Sequence, residues 1–71
     1  MPLFKQYDIF ELLKDLNPNI KKGMVGVILE VYDENTYEVE FVKGDATNYE
    51  FEGKSTFTIK DSYMKQANKA G

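Results

Sequence analysis

Four stretches in the middle of this chain carry an apolar side chain at every second position. They are Val25, Val27, Leu29 and Val31; Tyr37, Val39 and Phe41; Tyr49 and Phe51; and Phe57 and Ile59. A period of two belongs to a strand with one buried face, because successive side chains point to opposite sides of the pleat. The chain is therefore expected to be all-β, and 71 residues hold one small domain and no second core. So short a chain needs large apolar contacts, which five Tyr and five Phe supply. With no cysteine there is no disulfide framework and no thiolate site. Without histidine the usual general base and the commonest nitrogen ligand are missing too.

Loop lengths set the expected registers. A three-residue link, Asp33-Glu34-Asn35, pairs Tyr32 with Thr36, and so Val31 with Tyr37, Leu29 with Val39 and Val27 with Phe41. All six apolar side chains then share a face, whereas a two-residue link would put the two sets on opposite faces. Asn35 is expected as the left-handed residue of a bulged turn. The outward row places Glu30 opposite Glu38 and Ile28 opposite Glu40. The same parity across Gly53-Lys54-Ser55 pairs Phe51 with Phe57 and Tyr49 with Ile59. Gly23 reads as a tight turn and Gly26 as a close backbone approach. Neither is read as a phosphate cradle, since the third glycine, the lysine and the following helix of such loops are absent.

Residues 7–16 admit two readings. Ile9, Leu12, Leu13 and Leu16 have helical spacing, with Asp8 and Glu11 in capping-box positions. Tyr7, Ile9, Glu11 and Leu13 also alternate as a strand with one misfit. Asn17-Pro18-Asn19 ends whichever element precedes it, and Lys21-Lys22-Gly23 turns the chain into the next strand. Residues 67–71 have no apolar anchor and are expected to fray, leaving 1–66 as the domain.

Three pieces, Tyr7-Asp8-Ile9-Phe10-Glu11-Leu12-Leu13, Lys22-Gly23-Met24-Val25-Gly26-Val27 and Tyr37-Glu38-Val39-Glu40-Phe41-Val42, occur in the order and spacing of a family of short bacterial domains. The chain resembles that family, whose members have no assigned function and look like small SH3-like barrels. The resemblance covers about residues 6 to 65 and implies that the first segment is a strand. The expected fold is thus a five-stranded SH3-like barrel, with strands near 6–13, 24–32, 36–43, 47–52 and 56–59 and a closing segment at Tyr63-Met64. Some members look like immunity or antitoxin proteins. Residues 23–31 are also similar to the KOW element of ribosome and transcription factors, though here the strand runs into carboxylates.

Charge divides the chain. Between Glu30 and Glu52 lie eight carboxylates against Lys43 alone, while the remainder holds eight lysines and four carboxylates. The net charge is -3 and there is no arginine, the residue best suited to forked phosphate recognition. Nucleic acid is therefore the disfavoured partner, with Lys21, Lys22, Lys54, Lys60 and Lys65 as the only cations such binding would use. The expected function is protein binding through an acidic face made of Glu30, Glu38, Glu40, Glu50 and Glu52, with Tyr32 as an aromatic anchor at its margin. An immunity or antitoxin-type protein covering a basic toxin is the leading version; an accessory subunit of an enzyme or ribonucleoprotein assembly is the alternative.

Catalysis is not expected. Glu38 and Glu40, two apart on one strand, have nothing to split their pKa values. An oxygen-only cation site among Asp33, Glu34 and Asp45 is possible by ligand type, but the spacing of an EF-hand is absent. No cofactor or metal is expected. With no apolar run of membrane-spanning length and no signal-peptide layout, the expected location is the cytoplasm.

Overall fold

The computed structural model describes residues 3–67. Strands β1 (Ile9–Leu12), β2 (Val25–Val31), β3 (Thr36–Phe41), β4 (Thr56–Lys60) and β5 (Met64–Gln66) form one antiparallel sheet in the order β4-β3-β2-β1-β5. The five-stranded all-β class matches the expectation, but its membership differs. Residues 47–52 are not a strand; they contribute only the bridges Val42↔Asn48 and Phe51↔Lys54, and the closing segment supplies the fifth strand instead.

The sheet cannot be flat. β4 and β5 lie at opposite edges, yet only the 3-10 turn Asp61–Tyr63 separates them in the chain. Strands about 4.8 Å apart would set those edges about 19 Å from each other. Four residue steps reach at most about 14 Å even when fully extended. The sheet therefore curls on itself around a core of Phe4, Phe10, Leu12, Ile20, Ile28, Tyr37, Val39, Phe41, Ile59 and Met64.

A β-bulge at Leu29 overturns part of the expected register. Val31↔Tyr37 and Glu30↔Glu38 pair as expected, but beyond the bulge Ile28 pairs with Val39, Val27 with Glu40 and Gly26 with Phe41. The pairings Leu29 with Val39, Val27 with Phe41 and Ile28 with Glu40 do not form. An extra residue reverses the parity of a strand. Ile28, fully buried, and the half-buried Val31, packed against the core, thus both face inward, while Val25 and Val27 turn to the outer face.

The other corrections follow from local hydrogen bonds. β1 buries Phe10 and Leu12 rather than Tyr7, Ile9, Glu11 and Leu13. Asp8 caps no helix: its carboxylate accepts the Lys5 N–H at 2.9 Å and its own N–H donates to the Lys5 carbonyl, closing a turn. Asn35 is not left-handed, because the Asp33 carboxylate accepts its N–H at 2.8 Å and shapes the loop by side-chain bonding instead. Phe51 pairs with Lys54 around Glu52 (φ 54°) and Gly53 (φ 81°), the two positive φ angles of a tight two-residue turn. That turn, with β4 already paired to β3, rules out Phe51 with Phe57 and Tyr49 with Ile59.

Both glycine expectations hold. Gly23 turns at φ 94°. A Cβ on Gly26 would lie 2.6 Å from Phe10 Cζ and 2.7 Å from the Glu40 carbonyl oxygen. Of the tail expected to fray, residues 67–71, Ala67 instead donates its N–H to the Ile9 carbonyl at 3.1 Å, and 68–71 lie outside the described residues.

Candidate functional site

The fold brings four of the six predicted residues into one neighbourhood on the outer face of the sheet. Glu30 on β2 stands opposite Glu38 on β3, which stands opposite Thr58 on β4. One row further along, Ile9, Val27, Glu40 and Thr56 are successive cross-strand neighbours. Tyr32, 57% exposed, follows β2 at the margin, where its N–H donates to the Thr36 carbonyl at 2.9 Å.

Hydroxyl and amide groups hold the carboxylates. Tyr32 Oη donates to Glu38 Oε1 at 3.3 Å and Thr58 Oγ1 donates to the same oxygen at 2.5 Å. Asn48 Nδ2 donates to Glu40 Oε1 at 3.0 Å. Among the described residues no lysine pairs with Glu30, Glu38 or Glu40; the nearest approach to an ion pair on this face is Lys65 Nζ to Glu11 Oε1 at 4.0 Å. Partial desolvation raises the Tyr32 phenol above its ordinary value, and the charge of Glu38, the hydrogen bond to it and the charge of Glu30 add to the effect.

Glu50 and Glu52 are not part of this row. The Glu50 carbonyl accepts Asn19 Nδ2 at 2.8 Å, and Glu52 sits in the tight turn before β4. The place beyond β3 that they were expected to fill belongs to Thr56, Thr58 and Lys60.

Sequence reasoning missed an aliphatic strip beside the carboxylates. Ile9 and Val25 are 39% and 51% exposed, with half-buried Val27 between them in the ladder. The alternation Val25, Val27, Leu29, Val31 reads as a buried face, and only the bulge reveals that its first half points outward. Tyr7, 69% exposed, precedes β1 and holds a positive φ of 72°, uncommon for a bulky residue. Its N–H donates to the Ile28 carbonyl at 2.7 Å, which fixes the position.

Asp33 and Asp45 serve their own loops. Hydrogen bonds from the Asn35 amide and from Thr36 hold the Asp33 carboxyl below the ordinary aspartate value, and those from Thr47 do the same for Asp45. Among the described residues no three carboxylates converge as a metal would require. No helix among them is long and apolar enough to cross a membrane.

A family model described as Domain of unknown function (DUF4926) matches residues 6–53, from the turn before β1 to the turn before β4. No curated protein and no solved structure matches the chain.

Proposed function

We propose that this chain, which belongs to the family Domain of unknown function (DUF4926), is a protein-binding module whose outer sheet face engages a basic protein. The observation that carries the reading is the placement of Glu30 directly across from Glu38 with no lysine paired to either among the described residues. Like charges in directly opposed positions cost a few tenths of a kcal/mol up to about 1. A partner presenting lysines or arginines removes that cost and replaces it with attraction.

The role is of the immunity or antitoxin type: the carboxylates cover the cationic substrate surface of a toxin such as a nuclease. Long-range attraction raises the association rate, while Tyr32 and the strip of Ile9, Val25 and Val27 supply the desolvated contact that slows dissociation. The module acts by occupying a surface and needs no cofactor. The absence of cysteine suits a reducing cytoplasm.

A second reading has its own support. The exposed aliphatic strip is the kind of patch that permanent assemblies bury, so an accessory subunit of an enzyme or ribonucleoprotein complex is the alternative. Co-purification with the product of the adjacent gene separates the two. A basic, toxin-like partner whose activity is blocked in the complex supports the first; a partner that is an enzyme subunit or ribosome factor, active in the complex, supports the second.

A further inference from the structure

Among the described residues, the outer edge of the sheet at β4 has hydrogen-bonding groups with no strand beside them, and β4 has a single neighbour, β3. The Asp61 N–H donates to the Asn35 carbonyl at 2.8 Å, which makes residue 61 a β3-facing position. Antiparallel ladders alternate, so Ile59 and Phe57 also turn their backbone groups to β3. Thr56, Thr58 and Lys60 then turn theirs to the open side.

A groove of about 480 Å³ runs beside this edge, lined by Leu16, Glu38, Lys54, Thr56, Phe57 and Thr58. Its lining is sorted by face. Leu16 and Phe57 are half-buried and pack against the core, whereas Thr56 and Thr58 share the outer face with Glu40 and Glu38. A strand laid along β4 would point alternate side chains toward Leu16 and Phe57 and the ones between toward Thr58 and Glu38.

We infer that β4 accepts an extended segment of the protein partner as a sixth strand, with alternating apolar and basic side chains. This rests on the partner-binding reading and names its mode, strand addition. The apolar positions fill the space between Leu16 and Phe57, and a basic one over Thr58 meets the Glu38 carboxylate, backed by Glu30. Lys54 lines the groove and Lys60 ends β4 beyond Thr58, so the partner's cation belongs between them, over Thr58. A second copy of this chain is the poorer occupant: each copy carries a net charge of -3, and β4 paired with β4 would bring two Glu38 carboxylates to the same seam.

The test uses the isotope-labelled full chain and an eight-residue peptide alternating lysine and valine, with a glutamate–valine peptide as control. The lysine–valine peptide should slow amide exchange at Thr56, Thr58 and Lys60 by about tenfold or more, and the control should not. Thr58→Pro should abolish the effect while leaving Phe57 and Ile59 amides protected, because an edge strand tolerates proline where its N–H faces outward. If that variant does not fold, the wild-type exchange data decide alone. A peptide that shifts Glu30, Glu38 and Glu40 resonances yet leaves the three edge amides exchanging freely overturns strand addition but keeps the acidic-face reading. A peptide that shifts nothing overturns strand addition as well, and the salt dependence of partner association then judges the face. Edge amides that slow with protein concentration alone would overturn the inference in favour of self-pairing.

Discussion

Glu30 and Glu38 face each other across the β2–β3 ladder, one residue past the bulge at Leu29. The bulge makes the pairing compatible with a filled core, since it lets Ile28 and Val31 both point inward while Glu30 stays outside. The pair has an energetic signature that separates folding from function. Glu30→Lys turns a repulsion into a cross-strand attraction and should stabilise the domain by about 0.5 kcal/mol, or roughly 2–4 °C in Tm. Thermal melts at low ionic strength check this, and the gain should shrink in high salt. A stabilising substitution that weakens partner binding marks Glu30 as held for the partner.

Gly26 admits no side chain. Phe10 and the Glu40 carbonyl crowd the position that a Cβ would take, and the carbonyl belongs to a ladder that cannot yield. Gly26→Ala should destabilise by about 2 kcal/mol, seen as a lower urea midpoint. Adding Phe10→Leu should not restore stability, because the backbone oxygen remains in the way and Phe10 is itself fully buried.

The sequence carried the all-β class, the β2–β3 link, Gly23 and Gly26, because each rests on a local rule about period, loop length or backbone freedom. It did not carry the bulge. Val25, Val27, Leu29 and Val31 alternate without a break, so nothing in their spacing marks where the parity reverses; the inward demand of Ile28 decides it. For the same reason the aliphatic half of the candidate face was invisible, while Tyr32, Glu30 and Glu38, on the near side of the bulge, were placed correctly. Residues 47–52 misled differently: Tyr49 and Phe51 alternate, but the Glu52-Gly53 turn folds the segment back on itself before it can pair with β3.

The buried Tyr37 hydroxyl ties the N-terminal segment to the β2–β3 link. It accepts the N–H groups of Leu3 and Phe4 at 3.1 and 3.3 Å and donates to the Glu34 carbonyl at 3.3 Å. Tyr37→Phe leaves the buried Phe4 amide without this acceptor and should cost about 1–2 kcal/mol. Amide exchange should accelerate at Phe4 more than at Val39 in the same strand system.

Acid should weaken the loops first. The Asp33 and Asp45 carboxyls sit below the ordinary aspartate value of 3.8 in the folded chain. Their contribution is therefore fully present above that value and is lost as pH falls through the lowered ones. Asp33→Asn and Asp45→Asn retain an acceptor oxygen but cannot ionise. Tm measured from about pH 5 down to about pH 2 should fall less steeply in the double variant than in the wild type.

The association rate with the co-purified partner, measured at low and high salt for the wild type and for Glu30→Lys/Glu40→Lys, tests the central claim most directly. An acidic face that steers a basic protein predicts a wild-type rate that drops steeply with salt. The charge-reversed protein should then associate about tenfold or more slowly at low salt, with little salt dependence left. Equal rates for the two proteins at low salt would contradict the account and leave the carboxylates as a solvated surface.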